Sequence, residues 1–256
     1  MRRGFTLLEL IFVIVILGVM SKFGVELLYK IYENTVYSNT LNRLQGRSEI
    51  AIEQIANRLK YRIKDTTVAK SGGGSLKPIG NLGAGDSTIE WVGIDIDGWR
   101  GTGTPTWSGL VDLNDPLTTN ASLVSPGSTG AGNGAVFFIG SDVDILNQAA
   151  WDAAMIPVNS AGATLTGNYV GRDVFEFYQF ATSAYQLSLE GTDLVLYSDY
   201  KPWNNEGRTN RQVLMQDVKT FTFGYSGDVL LVKVCVTDND ITGLGEYFIC
   251  KEKVVF

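Results

Sequence analysis

The sequence predicts an α+β protein, a long N-terminal helix packed on an antiparallel β-sheet globular head. Three observations carry this. An apolar run opens the chain, helical spacing continues well beyond it, and after residue 75 the hydrophobic period shifts from three or four to two. The chain has 256 residues, 45% of them hydrophobic and 19% charged, enough for a sizeable core. It has no histidine, so the usual general base and the commonest transition-metal ligand are both missing. The net charge of −6 disfavours a phosphate-rich partner. No nucleic acid is expected among its partners, and no cofactor.

The first element spans Phe5 to Met20, apolar except for Thr6, Glu9 and Gly18. Between Arg3 and Lys22 lie 18 residues, near the lower limit for a spanning helix. Arg2 and Arg3 precede it and no basic cluster follows, which places the N-terminus in the cytoplasm. No A-x-A-type site ends the run, so the segment is expected to stay in the mature protein. Glu9 is the anomaly, because a carboxylate within such a run costs a few kcal/mol and calls for a partner. It lies four residues after Phe5, about 6 Å along a helix axis. Cleavage after Gly4 would leave an amine on Phe5 near that depth, able to pair with Glu9 of a neighbouring chain. The plainer reading is a signal-anchor whose glutamate snorkels to the interface.

Gly4, Phe5, Thr6, Leu7, Leu8, Glu9 and the apolar run to Gly18 resemble the N-terminus of type IV prepilins and type II secretion pseudopilins. The resemblance covers about the first 25 residues and implies a pilin fold. It implies that a prepilin peptidase cuts between Gly4 and Phe5 and methylates Phe5, and that Glu9 docks subunits. Residues 1–4 are then a leader, 5–29 the transmembrane half of the helix, 30–70 its amphipathic half, and 71–256 a periplasmic head. Removing the leader takes two of the 21 basic residues, leaving 19 against 27 acidic ones, or −8.

Leu27, Ile31, Leu41, Leu44, Ile52, Ile55, Leu59 and Ile63 recur at helical spacing, and no proline precedes Pro78. A helix from Phe5 to Lys64 would be about 90 Å long. Gly18, Gly24 and Gly46 are its weak points. SGGGS, from Ser71 to Ser75, reads as a linker. Strands are then expected at Thr88–Ile96, Ala135–Ile139, Asp173–Thr182, Tyr185–Glu190, Asp193–Tyr197, Lys219–Tyr225, Val229–Thr237 and Tyr247–Phe256. Turns at Glu190-Gly191-Thr192 and Ser226-Gly227-Asp228 suggest hairpins, and Asp142–Met155 reads as a short helix capped by Ser141 or Asp142.

The stretch Gly98–Gly134, rich in Gly, Thr, Ser and Asn, embeds Trp99 and Trp107. It reads as an irregular surface insertion whose tryptophans pack back on the body, or as a recognition surface for a partner subunit or a glycan. Asp95-Ile96-Asp97-Gly98 has the carboxylate spacing of calcium loops but also of a plain turn. Asp238, Asp240, Thr242, Gly243 and Glu246 fit positions 1, 3, 5, 6 and 9 of an EF-hand loop. Ile249 stands where its last acid belongs, so these are weak calcium candidates and no metal is expected. Arg58, Lys60, Arg62 and Lys64 read as a solvated or subunit-facing basic strip, with nucleic-acid uptake, which some pilins serve, as the alternative.

Cys235 and Cys250 are the only cysteines. Strands either side of a turn near Thr242-Gly243 pair residues whose numbers sum to about 485, as these two do. They should therefore face each other with Cα atoms 4.5–5.5 Å apart and form a disulfide outside the cytoplasm.

The resemblance implies a non-enzymatic minor pilin or pseudopilin that docks with other minor subunits to prime or cap a filament. The size and layout look most like J-type minor pseudopilins or their pilus counterparts, and retention of Glu9 argues against the K-type. The implied partners are minor and major subunits, the prepilin peptidase, an inner-membrane assembly platform and inner-membrane lipid. Its place is the inner membrane, single-pass with the head periplasmic, then a filament. A secretion system and a pilus both remain open, and the alternative is a pilus-tip adhesin that binds a ligand.

Overall fold

The structure is a computed structural model, and it describes residues 6–71, 76–81, 86–101, 104–141, 145, 147–226, 229–238 and 247–256. The chain divides into two compact units, residues 1–46 and 47–256. Helix α1, Leu7–Leu59, begins in the first and ends in the second. Gly18, Gly24 and Gly46 all lie within the unbroken helix. The apolar residues from Leu7 to Tyr32 stay exposed, Leu8 at 76% and Ile14 at 61% among them, while Leu44 further along the helix is buried. Such a surface asks for lipid or another apolar helix. Among the described residues α1 is the one helix long and apolar enough to cross a membrane.

In the second unit the same helix buries one stripe, Ala51, Ile52, Ile55, Ala56 and Leu59. Lys251 pairs with Glu49 at 2.8 Å and Lys253 with Glu53, tying this part of α1 to the last strand. The helix stops at Leu59, short of the expected Lys64. The chain after it is captured by a strand edge: Ile63 N donates to Val92 O at 2.9 Å, and Ile94 N to Tyr61 O at 2.8 Å. Sheet pairing there takes donors and acceptors that another helical turn would have used.

The head contains two antiparallel sheets. The larger takes in β1 (Val68–Ser71), β2 (Leu76–Pro78), β3 (Asp86–Ile94), β4 (Ser122–Val124), β5 (Gly132–Phe138), β6 (Ile156–Ala161), β7 (Thr164–Gly167), β8 (Tyr178–Glu190), β9 (Asp193–Tyr200) and β10 (Asn210–Met215). Its main path is β2-β1-β3-β8-β5-β6-β7-β4, with β9 pairing both β8 and β10. β8 organises it. β3 lines one edge, while β5 holds the other up to Ala181 and β9 takes over from Ala184. The smaller sheet is β11 (Val218–Ser226), β12 (Val229–Asp238) and β13 (Tyr247–Val255) in that order. β11 lies against β3, β8 and β9.

Several expectations shift. Asp173–Thr182 is not one strand, since β8 starts at Tyr178 and runs without a break through the expected gap to Glu190. The short strands β1, β2, β4, β6, β7 and β10 carry too little alternation to read from sequence. Among the described residues of the expected Asp142–Met155 helix, only Gln148–Ala154 is helical (α3), capped by Asn147 Oδ1 accepting from Ala150 N. Residues 142–144 lie outside the described residues, as do most of the Ser71–Ser75 linker and the tip of the Ser226-Gly227-Asp228 turn. The β8–β9 hairpin turns at Gly191 with φ +64°, a conformation costly for other residues.

The sheet is buried on both faces around β5. Ala135 and Phe137 join a core with Trp151, Met155 and Ala181, while Val136 and Phe138 join another with Trp107, Leu165 and Phe180. That explains the continuous apolar run there, where a one-sided strand would alternate.

Candidate functional site

The N-terminal constellation begins outside the described residues, where both Gly4 and Phe5 lie. Thr6 caps α1: its Oγ1 accepts from Glu9 N at 3.4 Å, and its carbonyl accepts from Leu10 N at 3.2 Å. Thr6-Leu7-Leu8-Glu9 also has the spacing of a capping box, a signal the sequence reading passed over. Glu9 is exposed in the first turn, where a carboxylate is favoured by the helix dipole. Its carboxylate thus has a local stabilising role as well as being available to another chain.

Cys235 and Cys250 lie directly opposite in the β12–β13 register and are joined by a disulfide. Their Cα atoms are 4.0 Å apart, closer than the expected 4.5–5.5 Å and nearest to the narrow, non-hydrogen-bonded kind of cross-strand pair. Asp238 is buried at the end of β12, paired across to Tyr247. Asp240 and Glu246 lie outside the described residues. Among the described residues no group of three or more His, Cys, Asp or Glu could hold a metal ion. Asp95 Oδ1 accepts from Gly98 N at 3.1 Å, so Asp95-Ile96-Asp97-Gly98 is the capped start of α2, Ile96–Arg100. The basic strip is not uniform. Arg62 is 4% exposed and donates to Leu59 O at 2.8 Å, Arg58 is half-buried, and Lys60 and Lys64 are exposed.

The stretch 98–134 is more ordered than its composition suggests. It contains part of α2, β4 and the start of β5. Ser125 Oγ lies 2.8 Å from both Ser128 Oγ and the Tyr178 hydroxyl, pinning the segment to β8. Trp107 is buried and donates from Nε1 to Asp95 O at 2.9 Å, while Trp99 is 48% exposed. One tryptophan packs back on the body and the other faces out.

One cluster has no counterpart in the sequence reading. Glu90, fully buried on β3, accepts from Lys70 Nζ at 2.9 Å, Arg208 Nε at 3.0 Å and the Tyr200 hydroxyl at 2.6 Å. Burial, followed by the Glu90 charge and hydrogen bond, pushes the Tyr200 phenol well up, so it stays a donor. Nearby Asp152 is half-buried, and desolvation raises its carboxyl above the ordinary value despite a hydrogen bond from Gln148. Glu90 thus gathers donors from three separate segments and acts as a joint between them. It was not legible in sequence because its members are 20 to 118 residues from Glu90.

No curated protein and no solved structure matches the chain. A family model for the prokaryotic N-terminal methylation motif matches residues 1–21. That motif implies processing by a prepilin peptidase and assembly with pilin subunits, and the apolar helix fits a membrane anchor. The long N-terminal helix followed by an antiparallel head fits the pilin fold. The chain thus carries, over its first 21 residues, the N-terminal methylation motif characteristic of type IV pilins and pseudopilins.

Proposed function

We propose that this chain is a minor pilin or minor pseudopilin, a non-catalytic subunit that primes or caps a type II secretion pseudopilus or type IV pilus. The observation that carries the reading is the methylation motif leading straight into a fully exposed apolar helix. A monomer leaves that helix side by side with lipid, and a filament would bury it against other subunits. In this reading cleavage frees the Phe5 amine, which is then methylated. Glu9 offsets its own cost in lipid by pairing with a neighbour's amine. The head, stapled by the Cys235–Cys250 disulfide, lies on the periplasmic side of the inner membrane. The assembly platform and the other minor subunits are its partners.

The test is intact-mass measurement of the protein extracted from membranes that contain a prepilin peptidase. The expected mature chain starts at N-methylated Phe5, and a start anywhere after Met20 refutes the proposal. Co-assembly then tests Glu9. Glu9→Ala and Glu9→Gln should both insert in the membrane yet fail to co-purify with other minor subunits. Gln keeps the helix N-terminus polar but lacks the charge, so wild-type incorporation of Glu9→Gln would remove the ion-pair role. A second reading, a ligand-binding subunit at a pilus tip, is favoured by the outward-facing Trp99 alone. Trp99→Ala separates the two, since filaments that form but no longer adhere support the second.

A further inference from the structure

β3 ends at Ile94, and beyond it the edge of β8 is taken by another segment. Tyr178 N donates to Gly109 O at 3.0 Å and Val111 N to Glu176 O at 2.8 Å. A cavity of about 460 Å³ opens at this change of partner, within the range of ligand pockets. Trp99, Trp107, Leu110, Ile139 and Phe177 line it, with Ser108 and Gln179 among its few polar side chains. Four of the five apolar residues are exposed, from Leu110 at 44% to Phe177 at 53%, with Trp107 the buried one. The walls are built. Trp99 and Trp107 meet with centroids 4.7 Å apart, and Gly109, at φ +77°, brings the backbone so close that a Cβ would lie 3.0 Å from the Trp99 ring.

A second cavity of about 350 Å³ adjoins the first, sharing Ile94 and Ile96 with it. It is polar, lined by Asn57, Arg58, Tyr61, Asp97, Arg100 and Thr182, with Asp95 engaged as the α2 cap. Arg100 donates to the Tyr61 hydroxyl at 3.1 Å and lies over its ring, and Arg58 donates to Gln54 O. Neither arginine has a carboxylate partner among the described residues.

We propose that the two cavities together form a docking site for an extended peptide segment of another protein. The Trp99 cavity receives one aromatic or branched aliphatic side chain, and the Arg58–Arg100 cleft receives the polar backbone and an adjacent acidic side chain. The first cavity carries no charged residue, which disfavours a phosphate or a charged head. Its polar side chains, Ser108, Gln179 and a Tyr178 hydroxyl already bonded to Ser125, are too few to match the hydroxyls of a sugar. An apolar anchor beside a polar, arginine-bearing cleft is the alternation that a peptide presents and a hydrocarbon chain does not. Uncharged aromatic pockets with arginine nearby are where binding energy concentrates in interfaces. The inference does not rest on the filament reading.

The probe is a displayed library of random twelve-residue peptides, selected on the full chain held in lipid nanodiscs. Enriched peptides should share an aromatic or branched aliphatic residue next to an acidic one, and should shift the Trp99 indole resonance. Trp99→Ala should weaken them at least about tenfold, and Arg100→Ala by a smaller factor of about three. Trp99 is half-exposed, so its loss leaves the core intact. Val213→Ala, exposed on β10, is the control and should change nothing. No enrichment, or equal binding to Trp99→Ala, overturns the proposal. So does lauric acid shifting the Trp99 resonance when no peptide does, an outcome that would assign the cavity to an acyl chain.

Discussion

Glu90 offers the sharpest test of what holds the head together. Its carboxylate has no exposed surface and accepts from Lys70, Arg208 and Tyr200, drawn from three separate segments. Glu90→Gln keeps the volume, removes the charge, and places an amide donor among three donors. Breaking a buried ion pair by removing one partner costs about 3–5 kcal/mol. The lower end applies here, because the Lys70 and Arg208 side chains keep 21% and 31% of their exposure and can turn to water. About 3 kcal/mol corresponds to a fall of roughly 6–12 °C in Tm for a unit of this size. The assay is urea and thermal unfolding of the full chain in detergent, followed by tryptophan fluorescence. Lys70→Met should cost less than Glu90→Gln, since Arg208 still pairs with the buried charge. A loss below about 1 kcal/mol for Glu90→Gln would mean that the site is wet or loosely formed, and the account of the joint would fail.

Other outcomes follow from single contacts. The denatured, unreduced protein should show no reactive thiol, and replacing both cysteines with serine should lower stability by about 3 kcal/mol, the effect expected for a loop of this length. Two reactive thiols per chain would refute the bridge. Asp152 has a raised carboxyl pKa in the folded state, so its stabilising contribution is full below the ordinary value of 3.8 and is lost as pH rises through the folded value. Asp152→Asn should therefore stabilise the head at pH 7 and make no difference at pH 3. Unfolding curves at the two pH values check this, and an equal effect at both would sink it. Trp151 donates from Nε1 to Thr66 O at 2.6 Å in the core, so Trp151→Phe should cost about 1–3 kcal/mol by leaving a buried carbonyl unpaired. Unfolding of that variant at wild-type urea concentration would contradict the bond.

The methylation motif, the apolar anchor and the long helix could be read from residue order because each is local. A membrane span needs only a run of apolar residues, and a helix needs only their recurrence at three- and four-residue steps. The hairpin carrying Cys235 and Cys250 was legible for a related reason: a register about one turn is simple arithmetic. The tertiary structure decided the rest. The helix ended at Leu59 because β3, about thirty residues on, took the hydrogen bonds of Tyr61 and Ile63. β8 continued through an expected break because β3 and β9 pair with it across that point. The joint at Glu90 and the cavity beside Trp99 were out of reach of any local pattern, since their residues meet only when strands distant in sequence are laid side by side. Burial and pairing are properties of that meeting, which is why spacing along the chain located the anchor and missed the surfaces of the head.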